Sequence, residues 1–229
     1  MINVAAGWQA VRARVAAAAQ RASRPPASIR IIAAAKTKSA EMIEAAIAAG
    51  ATDIGENYVQ EAAEKIRCVT PPPTWHLIGH LQRNKAARAV ELFQLIHTLD
   101  SVALGEALAR HAERLARTVR VLVEVNIGGE STKRGVTPAQ VAALLAALAP
   151  QQGLLIDGLM AIPPPGASAE DARPHFRALR ELRDRLRPDA PANAPLRELS
   201  MGMTDDFEVA IEEGATMVRI GRAIFGERM

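Results

Sequence analysis

Ile29-Arg30-Ile31-Ile32-Ala33-Ala34-Ala35-Lys36 is a short apolar run closed by a lysine, and it opens a pattern that repeats along the rest of the chain. Further runs of this kind occupy 52–55, 75–78, 95–98, 119–126, 154–161, 196–200 and 217–220, each followed by a helical pattern or helical turn. Short apolar strands alternating with helices argue for a parallel sheet with crossover helices. Eight such units in 229 residues fit a closed (β/α)8 barrel better than an open, doubly wound sheet.

The boundaries support this division. Gly50 and Gly214 sit where helices should stop, and the segments from Ala46 to Thr52 and from Ala210 to Thr216 both read as helix, glycine turn, strand. Ser168 and Asp171 have the spacing of a capping box ahead of His175, Leu179 and Leu182. The prolines at 71–73, 163–165 and 188–195 cannot continue helices and mark connecting loops, none long enough for an interdomain linker. One domain over residues 1–229 is therefore expected. Trp8, Val11 and Val15 fall at helical spacing, so residues 3–22 read as an extra amphipathic helix packed on the barrel. The arginines at 12, 14, 21, 24 and 30, all ahead of the first acid Glu41, also resemble a transit peptide; packing on the domain is the preferred explanation.

Composition narrows the function. The formal charge of +3 is small and its basic residues are interleaved with acids, while aromatics at 3% are too few for a base-stacking platform, so no nucleic-acid partner is expected. No apolar run approaches the roughly 20 residues that cross a bilayer. A soluble, cytoplasmic protein is expected. Cys68 is the sole cysteine, which excludes an intramolecular disulfide, and no metal site is expected.

Barrels of this class place their chemistry where strands end in loops. Of the five lysines, Lys36 alone directly ends an apolar strand; Lys65 and Lys85 lie in helical, polar surroundings and Lys133 in a glycine-containing loop. An amine at an apolar rim is partly desolvated, which lowers its pKa and frees its lone pair for attack on an aldehyde. A lysine at a strand end is also, ordinarily, just a solvated charge. At the other end of the chain, Ser200-Met201-Gly202-Met203-Thr204 and Arg219-Ile220-Gly221-Arg222-Ala223 are short glycine-containing turns that lead into helices and suit an anion. A lysine nucleophile and an anion cradle in one barrel describe a ligand that is both an aldehyde and a phosphate ester.

Six ordered motifs carry a resemblance along nearly the whole chain: Ala35–Lys38, Gly55–Glu61, Trp75–Lys85, Gly158–Pro163, Ser200–Asp206 and Val218–Gly226. In these the chain resembles the YggS/PROSC family of pyridoxal phosphate homeostasis proteins. The resemblance implies a fold-type-III barrel, like the N-terminal domain of alanine racemase, with pyridoxal 5′-phosphate (PLP) as cofactor and Lys36 as the imine-forming residue. It also implies that Ser200, Gly202 and Gly221 hold the phosphate and that Arg219 faces the pyridine nitrogen. A guanidinium there keeps its proton, leaves the ring nitrogen unprotonated and weakens the electron sink needed for carbanion chemistry. Asn57 and His80 would lie near the ring, although Asn57 also reads as the cap of a helix over 58–66 and His80 as a loop histidine satisfied by backbone. Arg222 stands where many relatives carry threonine and Thr204 where serine is usual, so Arg222 is expected to bring charge to the phosphate in place of a hydroxyl.

The function implied is storage and delivery of the cofactor, with apo-enzymes as partners, no catalytic residues of its own and a monomer or weak dimer as the working form. An amino-acid racemase is the main alternative. A two-base racemase needs an acid–base group on each face of its substrate, and the chain ends at Met229 without the second domain that supplies one in alanine racemase. A lysine-dependent aldolase acting on a sugar phosphate is a third reading.

Overall fold

The computed structural model describes residues 3–130, 133–166 and 168–227. After helix α1 (Val4–Arg21) the chain alternates: β1 (Arg30–Ala34), α2 (Ala40–Ala48), β2 (Asp53–Glu56), α3 (Val59–Cys68), β3 (Thr74–Leu77), α4 (Ala86–Leu92), β4 (Leu95–Leu99), α5 (Val102–Arg114) and β5 (Val119–Glu124). It continues through α6 (Val141–Leu148), β6 (Leu154–Met160), α7 (Arg173–Leu186), β7 (Glu198–Ser200), α8 (Phe207–Glu212), β8 (Met217–Ile220) and α9 (Arg222–Phe225). Each strand pairs in parallel with the next, and β8 returns to β1 in the register Arg30↔Met217 to Ala33↔Ile220. The sheet is a closed eight-stranded barrel, as expected. The seventh strand starts at Glu198 rather than at 196, since Leu196 has a φ of 47°, outside the extended region.

Closure sorts each strand by the two-residue period of its side chains. One set, including Ala33, Ile54, Leu77, Ile96 and Val121, joins the large core between strands and helices. The other set points into the barrel, where Ile32, Leu95, Leu122, Met160 and Met217 form a separate small cluster. Gly50 and Gly214 end their helices at φ of 107° and 103°, the left-handed conformation that glycine tolerates. Ser168 and Asp171 form the expected capping box.

Helix α1 is tied to the last two units, where the anion cradle was expected. Trp8, Val11 and Val15 are buried, and a Cβ added to Gly7 would stand 2.7 Å from the Ala223 carbonyl, so α1 lies directly against α9. Arg14 grips Glu208 with two hydrogen bonds of 3.0 Å and lies over the Phe207 ring, while Arg21 bonds Glu212 at 2.8 Å. The early arginines thus balance the acids of α8. Such part-exposed pairs contribute up to about 1 kcal/mol each, less than the roughly 3–5 kcal/mol at stake in burying Trp8. Among the described residues no helix is long and apolar enough to cross a membrane.

Candidate functional site

A cavity of about 460 Å³ opens where strands β1, β2, β7 and β8 run out into their loops. Lys36, Asn57, Arg219, Gly221 and Arg222 line it, five of the eight residues expected at the site. Its remaining surface is largely apolar, with Ala34, Ile78, Ile162 and Met203 contributing, and Thr204 adds a hydroxyl. The chain ends are brought together because β8 closes the barrel against β1. That pairing puts the loop after Ala34 beside the loop after Ile220. Lys38 fastens the two, its Nζ donating to the carbonyls of Phe225, Gly226 and Glu227 at 3.2–3.3 Å. Asn57 is not the cap of the following helix, which has Tyr58 at its N-cap and starts at Val59.

Arg219 enters from β8, almost fully buried, and a file of polar side chains stands behind it. Its Nη1 donates to Ser200 Oγ at 2.7 Å and its Nη2 to the Ala161 carbonyl at 3.1 Å. Ser200 Oγ lies 2.9 Å from His97 Nδ1, His97 Nε2 lies 3.0 Å from His76 Nδ1, and His76 Nε2 lies 2.9 Å from Asp53 Oδ1. Burial alone would raise the Asp53 carboxyl, but hydrogen bonds from His76 and Thr52 offset this and hold it below the usual range. Burial pushes both histidines down, His97 well below the ordinary value, so each ring is neutral at pH 7 with one donor and one acceptor.

These facts fix every proton in the file. His76 must donate to the Asp53 carboxylate, so its other nitrogen accepts from His97. His97 must then accept from the Ser200 hydroxyl, and Ser200 accepts from Arg219. The relay runs one way, from guanidinium to carboxylate. Burial lowers the Arg219 guanidinium to about 10, which still leaves it charged at neutral pH, with Asp206 and Glu124 favouring that charge. The Ser200 proton is committed inward, and neither Ser200 nor Gly202 is among the residues lining the cavity.

His80 is not brought to the cavity. It sits on the β3–β4 side, accepting from Arg134 at 2.8 Å through Nε2 and facing Asp100 at 3.5 Å through Nδ1. Partial burial and the Arg134 charge lower its pKa. Nearby, burial drives the Glu124 carboxyl up to about 7, and its Oε2 is buried with no hydrogen-bond partner among the described residues. Arg222 stands at the rim, where its charge is engaged by Asp205 and by Glu227, the latter at 3.4 Å. The relay residues Asp53, His76 and His97 were not singled out by sequence reasoning. Their signal is a polar residue inside each of three consecutive apolar runs.

The donor set suits an aldehyde-bearing phosphate ester. Lys36 offers an amine, the apolar lining a slot for a flat ring, Arg219 a fixed cation, and the start of α9 backbone N–H groups without intrahelical acceptors. Close approach is possible there because residue 221 has no side chain: a Cβ on Gly221 would stand 3.2 Å from the Ala34 carbonyl. Among the described residues no cluster of three or more His, Cys, Asp or Glu side chains could hold a metal ion.

Comparison with known proteins agrees with this fold. Residues 8–229 match the family described as alanine racemase, N-terminal domain. The chain is 41% identical over 229 residues to the pyridoxal phosphate homeostasis protein of Pseudomonas aeruginosa, covering 100% of this chain and 97% of that one. It is 43% identical over 216 residues to the protein of the same name from Aquifex aeolicus, covering 94% of each. Among solved structures, PipY of Synechococcus elongatus with PLP bound superposes with a TM-score of 0.82 at 40% identity, covering 94% of this chain and 100% of that chain.

Proposed function

We propose that this chain, which belongs to the alanine racemase N-terminal domain family and to its pyridoxal phosphate homeostasis proteins, binds PLP and serves to store and deliver it within the cell. The observation that carries this reading is the meeting of Lys36 with Arg219 and Gly221 around one cavity, although they come from opposite ends of the sequence. When bound, the cofactor supplies an aldehyde that a lysine amine can capture with release of one water, and a phosphate that needs hydrogen-bond donors. Lys36 is the capturing amine in this proposal. Gly221 and Arg222, with Thr204, hold the phosphate end, and Gly202, which does not line the cavity, shapes the turn that carries Thr204; Arg219 faces the ring nitrogen and, being charged, donates to it without protonating it. Asn57 flanks the ring. Ser200 serves through Arg219, since its hydroxyl proton goes to His97. His80, standing off with Arg134 and Asp100, is a candidate for contacts beyond the ring rather than with it.

Among the described residues the cavity lining includes neither tyrosine nor histidine, and its carboxylates Asp205 and Glu227 are paired with Arg222, which supports a carrier over a racemase, whose two faces each need a proton donor and acceptor. Tyr58 is 61% exposed. Apo-enzymes that need the cofactor are the proposed recipients, and a monomer or weak dimer the proposed form. The test is to load the purified protein with PLP and mix it with an apo-enzyme. Visible absorbance abolished by borohydride, together with activation of the apo-enzyme, is the expected result. Racemisation of alanine at ordinary enzymic rates would contradict the carrier reading.

A further inference from the structure

The backbone on either side of Lys36 is held by a helix that does not touch the cavity. Thr37 has a φ of 63°, a left-handed conformation that a β-branched residue adopts only at a cost in free energy. Something must hold it there. Glu61, in the first turn of α3, accepts the Thr37 N–H at 2.7 Å through Oε1. One turn on, Lys65 donates to the Ala35 carbonyl at 3.0 Å, to Glu56 at 2.7 Å and to Glu61 at 2.5 Å. The three protons of its ammonium thus have three acceptors, and its side chain is only 10% exposed. The Ala35 N–H is itself bound to the Gly55 carbonyl at 2.8 Å. So the peptide before Lys36 and the peptide after it are both gripped from α3, and neither Glu61 nor Lys65 lines the cavity.

We infer that Glu61 and Lys65 are positioning residues for Lys36: by gripping Ala35 and Thr37 they set where its amine stands in the cavity, without touching the bound molecule. The inference rests on the proposed linkage of Lys36 to PLP. A structural brace alone would support every ligand of the cavity equally, whereas a device that aims the amine matters only for a ligand that bonds to it. Pyridoxamine 5′-phosphate makes the distinction, because it keeps the ring and phosphate but has no aldehyde.

The experiment compares equilibrium binding of PLP and pyridoxamine 5′-phosphate to the wild-type chain, Glu61→Leu, Lys65→Met and Glu61→Gln. The first two variants should bind PLP roughly tenfold more weakly, as loss of a charged hydrogen bond implies, and form the borohydride-stable label more slowly. Their affinity for pyridoxamine 5′-phosphate should stay within about threefold of wild type. Glu61→Gln keeps an oxygen for the Thr37 N–H and should restore most of the PLP affinity. Should Glu61→Leu fail to fold, Lys65→Met tests the same grip from its other half. Parallel loss of both ligands, or loss of neither, overturns the inference while leaving the functional reading intact. Wild-type protein that takes up neither ligand overturns both.

Discussion

The two walls of the cavity are held by different physics. The Lys36 wall is braced by charges, with Lys65 set among Glu56, Glu61 and the Ala35 carbonyl. The Arg219 wall is braced by a file of neutral groups, Ser200, His97 and His76, with ionised groups only at its two ends. A charged brace is strong but sensitive to protonation near neutrality, since burial lifts Glu56 to about 7 even with Lys65 beside it. A neutral relay is indifferent to pH until a buried ring must accept a proton. The comparison teaches that the amine proposed to capture the aldehyde sits on the tunable wall and the guanidinium on the constant one.

The largest effect should come from breaking the relay. His97→Leu leaves Ser200 and His76 buried with one partner missing each, and should destabilise the fold by roughly 2–4 kcal/mol in urea titration. His97→Gln, which can still offer one donor and one acceptor, should lose less. Next in size is the acid limb of stability. An unfolded histidine takes a proton near 6.5, whereas the buried rings of His76 and His97 resist it, so the unfolded state binds more protons as pH falls. Stability should therefore drop progressively below about pH 6.5, and His97→Leu should flatten that slope. Urea midpoints measured from pH 7 to pH 5 would show it.

A smaller effect of opposite sign belongs to the charged wall. Glu56 titrates at about 7 folded against an ordinary 4.5, so the folded state binds the extra proton between those values and its stability declines as pH rises through them. Glu56→Gln removes that dependence and should stabilise the chain at pH 8 relative to pH 5 by on the order of 1 kcal/mol, read from thermal or urea midpoints. The smallest effect is at the rim. Arg222→Thr replaces a half-exposed residue whose partners Asp205 and Glu227 are more exposed still, so stability should change by no more than about 0.5 kcal/mol. Affinity for PLP should change by less than about tenfold if backbone donors carry the phosphate.

The sequence displayed the barrel because its signal is local: each strand is an apolar run, and β8 has the bounds expected for it, Met217–Ile220. Lys36 was legible for the same reason, as a charge ending such a run. The braces were not. Lys65 reads as a polar helical residue, yet little of its side chain is exposed, since its acceptors lie just after β1, on β2 and one turn away on its own helix. Only the Glu61–Lys65 spacing of four hinted at a pair. His76 and His97 lie 21 residues apart on neighbouring strands, and nothing local says that two inward-facing rings will meet. Ser200 was expected at the phosphate, whereas its hydroxyl stands between Arg219 and His97, and which way its proton points only the whole file determines.

The most direct test of the central claim is to reduce the PLP-loaded protein with borohydride, digest it and locate the label by mass spectrometry. The expected result is one labelled peptide, modified at Lys36, with the label absent from Lys36→Ala. A label at full occupancy on another lysine, or one that persists in Lys36→Ala, would contradict the account.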